Sequence, residues 1–117
     1  MIANYNPFKK EMTEITPHGV INYTHNMGTT YVTHRRKEHY FVKFKGFAIS
    51  MTELEIAFNK HVYWILFMYH KEDGANEVYR IKMEHVKFLE EYNNEGDRQK
   101  IFPLKEMQTI KNGKWQY

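Results

Sequence analysis

The apolar run Val62-Tyr63-Trp64-Ile65-Leu66-Phe67-Met68-Tyr69 sets the tightest limit on what this chain can fold into. It shows no alternation of apolar and polar positions, so as a strand it is buried on both faces. Such a strand belongs in the centre of a covered sheet, and it is far too short to span a bilayer. Just upstream, Ser50-Met51-Thr52-Glu53 has the serine and the glutamate three residues later of a capping box. A helix is predicted from there to about Asn59, with Met51, Leu54 and Phe58 towards the sheet. Before it, residues 39–46 alternate: Tyr40, Val42 and Phe44 share one face, while Phe41, Lys43 and Lys45 share the other. Strand, capped helix and buried strand are therefore expected in that order.

The rest of the chain is read around this frame. A helix over 8–15 places Phe8, Met12 and Ile15 on one face. Residues 19–25 and 29–34 are β-branched and aromatic and flank the turn signal Asn26-Met27-Gly28. Together with 39–45 they are expected to form an antiparallel meander. The buried strand and 77–83 make a hairpin across 71–76. A helix is expected over 84–92, a helical turn within 104–110, and a turn at Asn112-Gly113. With 42% hydrophobic residues the 117-residue chain can build a real core, which excludes global disorder. The expected fold is one α+β domain spanning 1–117, with an antiparallel meander and hairpins in a mixed sheet packed with two to three short helices.

The chain contains no cysteine, which excludes disulfides, thiolate metal sites and cysteine nucleophiles. The first residues lack the basic and apolar regions of a secretory signal, so a cytoplasmic protein without a membrane partner is expected. Net charge is +3, and the cationic excess lies in the first fifty residues, at Arg35-Arg36-Lys37 and Lys43-Phe44-Lys45. Such a face attracts phosphate or an acidic protein. Lysine outnumbers arginine thirteen to four, a usage that fits an AT-rich genome such as that of a low-GC bacterium or its phage.

The run Lys43-Phe44-Lys45-Gly46-Phe47-Ala48-Ile49-Ser50-Met51-Thr52-Glu53, followed by the buried strand, resembles part of the restriction-endonuclease-like PD-(D/E)XK superfamily. In many members a strand ending Glu-x-Lys-Gly leads into a helix and a tyrosine-rich strand, and the likeness covers about residues 40–70. The resemblance implies Mg²⁺ held by an aspartate and by the glutamate of Glu-x-Lys, activating water against a phosphodiester. Here Lys43 stands at the glutamate position and Lys45 at the lysine position, and no aspartate precedes Asp73. A lysine cannot ligate Mg²⁺, and two ammonium groups repel it. The expectation is a non-cleaving relative, with Glu38 or Glu53 the displaced carboxylate if a nuclease survives.

No catalytic residue, metal ligand or cofactor is nominated. Seven histidines occur without family spacing, although His25, His34 and His39 could neighbour one another across the meander. The candidate binding residues are Arg35, Arg36, Lys37, Phe41, Lys43 and Lys45, because aromatic rings interleaved with cations can stack bases and hold phosphates. The function expected is a non-catalytic binder, of phage or mobile-element origin, whose basic β-face engages nucleic acid or a protein that processes it. It would inhibit by occlusion, in the manner of anti-CRISPR and other anti-defence inhibitors. A metal-dependent nuclease and a self-associating interaction module are the alternatives.

Overall fold

The computed structural model of the chain describes residues 11–24 and 28–117. At its centre is β6 (Trp64–His70), formed by the uninterrupted apolar run, with Trp64 through Met68 buried. This strand pairs in parallel with β3 (Gly28–Arg36) and antiparallel with β7 (Asn76–Lys82). Beyond β3 lie β2 (Val20–Thr24) and β1 (Glu11–Ile15); beyond β7 lie β10 (Gln108–Lys111) and β11 (Lys114–Gln116). The seven-stranded sheet therefore runs β1-β2-β3-β6-β7-β10-β11. A second sheet joins β4 (Tyr40–Phe41), β5 (Gly46–Ser50), β9 (Asp97–Pro103) and β8 (Glu91–Asn94), in that order. Two helices, α1 (Met51–Asn59) and α2 (Met83–Val86), complete the architecture. It is broadly α+β, with a mixed main sheet and more strand than the sequence reading expected.

Period-two alternation along β6 builds the core. Ile65 and Phe67 face the second sheet, where Phe67 stacks on Phe47 at 5.0 Å and meets Phe102 at 5.1 Å. Both partners are fully buried, and burying a side chain of this size contributes on the order of 2–3 kcal/mol. Leu66 points to the opposite face and packs with Val20 and Val32. The parallel pair β3/β6 needs a long crossover, and β4, β5 and α1 supply it. Ser50 caps α1, its Oγ accepting from the Glu53 N–H at 3.2 Å.

Several expectations change. The 39–45 strand does not continue the meander. Only Tyr40–Phe41 pair, in the other sheet, and 42–45 form a turn. The doubly apolar β6 takes the place beside β3. The helix over 8–15 is replaced by strand β1 from Glu11 onward, and residues 8–10 lie outside the described residues. The helix over 84–92 shrinks to α2; Glu91–Asn94 instead pair with β9 across Glu95-Gly96, both at positive φ (52° and 92°). The helical turn at 104–110 is limited to Leu104–Glu106, and β10 and β11 follow as a hairpin on Asn112-Gly113. Their φ values of 53° and 76° suit the Asn-Gly turn that matches strand twist. Finally, α1 is rotated about its axis. Glu53, Leu54 and Ala57 are buried and Phe58 is 64% exposed, because Glu53 turns inward to a cation on β3.

Candidate functional site

The outward face of the second sheet follows from its register. Phe47 and Phe102 are paired and point into the core, so Gly46, Ala48 and Ile101 lie on the other face, where Gly46 and Ile101 are nonetheless buried. Phe41 stands opposite Gly46, and Tyr92 opposite Gln99 on the same face. The small side chains on β5 leave room for rings. Phe41 meets Tyr92 edge-on at 5.8 Å and Phe44 at 6.1 Å. Position 46 admits only glycine, because a Cβ there would run into the Phe102 carbonyl of the neighbouring strand.

The turn 42–45 presents Lys43 and Lys45 to solvent, with Lys43 Nζ 5.6 Å from the Phe44 ring centroid. Its last residue is held at both backbone groups. The Lys45 N–H donates to the Val42 carbonyl at 3.3 Å, and the Lys45 carbonyl accepts from the Leu104 N–H at 2.9 Å. Lys45 adopts φ 48°, a left-handed conformation costing a side-chain-bearing residue roughly 1 kcal/mol. Val42 is 80% exposed beside it. The result is a pinned turn carrying two ammonium groups, the exposed Val42 and the Phe44 ring, with Phe41 and Tyr92 beside it.

Other predicted residues fall elsewhere. Arg36 and Lys37 are exposed at the end of β3, where Lys37 lies 3.5 Å from Glu72 in a solvent-exposed ion pair worth little. Arg35 is not on that surface. It is 9% exposed, and its Nη2 donates to Glu53 Oε1 at 2.7 Å. Glu53 Oε2 also accepts from Thr33 Oγ1 at 2.8 Å and the Tyr31 hydroxyl at 3.2 Å. The reason is parity: Tyr31, Thr33 and Arg35 share the inward face of β3. The two carboxylates considered as displaced metal ligands are separated as well. Glu38 is exposed in a 3-10 turn, while Glu53 is bound in this network.

The histidines regroup. His34 stacks on His70 at 5.1 Å between ring centroids, with Nδ1 2.8 Å from His70 Nε2; His70 Nδ1 lies 2.9 Å from Asn76 Oδ1. The Asn76 acceptor places the proton on His70 Nδ1, so His70 Nε2 accepts from His34 Nδ1–H. Burial, with the His70 and Arg35 charges, lowers the His34 pKa to about 4. His39 instead accepts from the Arg36 N–H at 3.2 Å, and His25 lies outside the described residues. Among the described residues no three His, Asp or Glu side chains converge. Burial and the Glu53 charge push the Tyr31 phenol well above its ordinary range, and burial with the Glu77 hydrogen bond does the same for Tyr79. Both stay protonated near neutral pH, which suits packing and hydrogen bonding and not proton abstraction.

Sequence reasoning missed one further group. The Arg80 guanidinium lies between the rings of Trp64 and Trp115, 3.8 and 4.3 Å from their centroids, while its Nε donates to Gln108 at 2.8 Å. Desolvation lowers the Arg80 pKa to about 10, leaving it charged at neutral pH. Arginine on aromatic faces is a favourable arrangement, and here it clamps the C-terminal hairpin to the main sheet. Alternation on 77–83 placed Arg80 on a face, but only the pairing of β7 with β10 brings Trp115 to it. Among the described residues no helix is long and apolar enough to cross a membrane. No family model matches the sequence, and comparison with curated proteins and with solved structures gives no match.

Proposed function

We propose that this chain is a non-catalytic binding protein whose grip is the outward face of the second sheet, and that it engages single-stranded nucleic acid. The observation that supports this reading is the grouping of Phe41, Phe44 and Tyr92 with Lys43 and Lys45 around one short turn. An aromatic ring that stacks a base contributes about 1–3 kcal/mol, and lysines beside it hold the phosphates. Arg36 and Lys37 are exposed at the end of β3 and are not part of this grouping, and Arg35 contributes to the fold. The biological role that fits is occlusion: a small protein of phage or mobile-element origin in a bacterial cytoplasm, covering nucleic acid that a defence system must reach. A second reading, in which the same face covers a nucleic-acid-processing protein directly, is favoured by Val42, an apolar side chain 80% exposed at the first position of the turn.

Against the nuclease alternative stand the geometry of Glu38 and Glu53 and the two lysines in a turn. The test is titration of fluorescein-labelled oligo-dT and oligo-U with the purified protein in Mg²⁺ and in Mn²⁺. Binding without cleavage, weakened about tenfold by Phe44→Ala, is expected. Cleavage abolished by Glu38→Ala would overturn the proposal. Failure to bind either strand moves the partner from nucleic acid to protein.

A further inference from the structure

The β10–β11 hairpin turns on Asn112-Gly113, with both residues in the left-handed region. The same dipeptide brings together two groups that can react. The Asn112 side-chain amide carbon is an electrophile, and the Gly113 backbone nitrogen is placed in the sequence to close a cyclic imide on it. Glycine offers no Cβ to hinder that approach, and a Cβ built at Gly113 meets nothing within 4 Å. Residues 111–114 are exposed, so water reaches both groups. Asn112 is the only asparagine in the sequence followed by glycine. Others are held as well: Asn76 Oδ1 lies 2.9 Å from His70 Nδ1, and Asn93 Oδ1 accepts from the Gly96 N–H at 2.8 Å.

The closed hairpin holds this reaction back. Ring closure needs the Gly113 nitrogen to eclipse the Asn112 Cβ about the Cα–C bond, an arrangement outside the left-handed region. The hairpin must therefore open first, and its construction makes opening easy. β11 has 3 residues and lies at the edge of the sheet, and short edge elements open at low cost. Lys111 and Lys114 stand directly opposite each other, and like charges so placed weaken a strand pair. Against opening stand the Trp115 ring, 4.3 Å from the Arg80 guanidinium, and the Gln116 amide, which donates to the Lys111 carbonyl at 3.1 Å.

We propose that Asn112-Gly113 is a modification site at which the chain deamidates itself, and that the contact of Trp115 with Arg80 sets the rate. The Gly113 nitrogen gives its proton to hydroxide and bonds to Asn112 Cγ. The Cγ–Nδ2 bond breaks, ammonia leaves, and a succinimide remains. Water then adds to one of the two ring carbonyls and that carbonyl's bond to nitrogen breaks. Opening at Cγ gives aspartate; opening at the Asn112 backbone carbonyl gives isoaspartate. Ammonia is exchanged for water, and nothing is oxidised or reduced. Either product sets a carboxylate between the two lysines. Isoaspartate also inserts a methylene into the main chain, so the two-residue turn does not re-form. Trp115 then loses its place opposite Ile110, and the hairpin stays released from Arg80. None of this depends on the proposed binding.

The experiment ages the full-length protein in mildly alkaline H₂¹⁸O and follows ¹⁸O uptake by peptide mapping, with labelling by an isoaspartate-specific methyltransferase as a second readout. Asn112 should convert before any other asparagine, and the aged fraction should show loss of the β10–β11 amide protection with the β3–β6 pair unchanged. Asn112→Gly keeps residues that this turn accepts and removes the amide; its hairpin should not change with age. Trp115→Ala should speed conversion at least about tenfold, because the open hairpin is more populated. Wild-type protein unfolded in urea sets the ceiling and keeps the test decisive if that variant fails to fold. Earlier conversion at another asparagine would overturn the proposal. So would equal rates in buffer and in urea, no conversion in buffer while the urea sample converts, or a folded Trp115→Ala no faster than the wild type.

Discussion

Replacing Arg35 by methionine tests whether this cation belongs to the core or to a binding face. The substitution keeps the length of the side chain and removes the guanidinium. Glu53, 4% exposed, would keep only the Thr33 donor at 2.8 Å and the Tyr31 donor at 3.2 Å. Removing one partner of a buried pair costs about 3–5 kcal/mol, because a charge is left uncompensated. Arg35 Nε is buried with no hydrogen-bond partner among the described residues, so the intact pair is itself incompletely satisfied. That places the expected loss at the lower end, about 3 kcal/mol. In a domain of this size the melting temperature should fall by about 10–15 °C. Arg35→Met/Glu53→Leu should recover part of the loss, since two apolar side chains of similar volume need no mutual compensation. The assay is urea and thermal unfolding followed by near-UV circular dichroism across the four-member cycle. A loss below about 1 kcal/mol in Arg35→Met, or reduced oligonucleotide affinity in a variant that is still fully folded, would refute the reasoning and return Arg35 to the surface.

Lys45→Gly removes a cation and relieves a left-handed backbone in one step. Stability should be unchanged or rise by up to about 1 kcal/mol, while oligonucleotide affinity falls; a stability loss would show that the Lys45 side chain supports the fold. Trp115→Ala opens one side of the Arg80 sandwich and should cost about 2–3 kcal/mol in urea unfolding, below a full core deletion because Trp115 is only half-buried. His34 titrates at about 4, below its usual 6.5. A depressed value of this kind means its contribution to stability is whole above about pH 6.5 and drains as the pH falls towards 4. The urea midpoint of the wild type should therefore drop over that window, and more steeply than that of His34→Asn; parallel curves would count against a buried neutral His34.

What the sequence disclosed and what it withheld have separable causes. The strand at 64–70, the Ser50 cap, the hairpin to β7 and the Asn112-Gly113 turn all rest on short-range signals that tertiary contacts reinforce. The errors cluster where a local signal was outvoted. Residues 39–45 alternate like a strand, yet β6 has two apolar faces to cover and takes the place beside β3, leaving 42–45 to turn. Residues 84–92 have helical spacing, but a Glu95-Gly96 turn commits Glu91–Asn94 to pair with β9. For the candidate site, Lys43, Lys45 and Phe41 were legible as a basic and aromatic cluster. Arg35 was misplaced for a reason visible in hindsight: it shares strand parity with Tyr31 and Thr33, and a strand's inward face does not end where its charge begins. Tyr92 was not legible at all, since only the β8–β9 pairing carries it to Phe41.

The proposed binding requires that the 42–45 turn hold phosphates. The direct measurement is the affinity of the folded protein for labelled oligo-dT over a series of salt concentrations, repeated with Lys43→Glu/Lys45→Glu. Each lysine that neutralises a single-strand phosphate adds about 0.7 to the slope of log K against log salt, so the double variant should lose about 1.4. Weaker binding with that reduced slope is the predicted result. An unchanged slope, with the double variant folded and bound as tightly as the wild type, would contradict it.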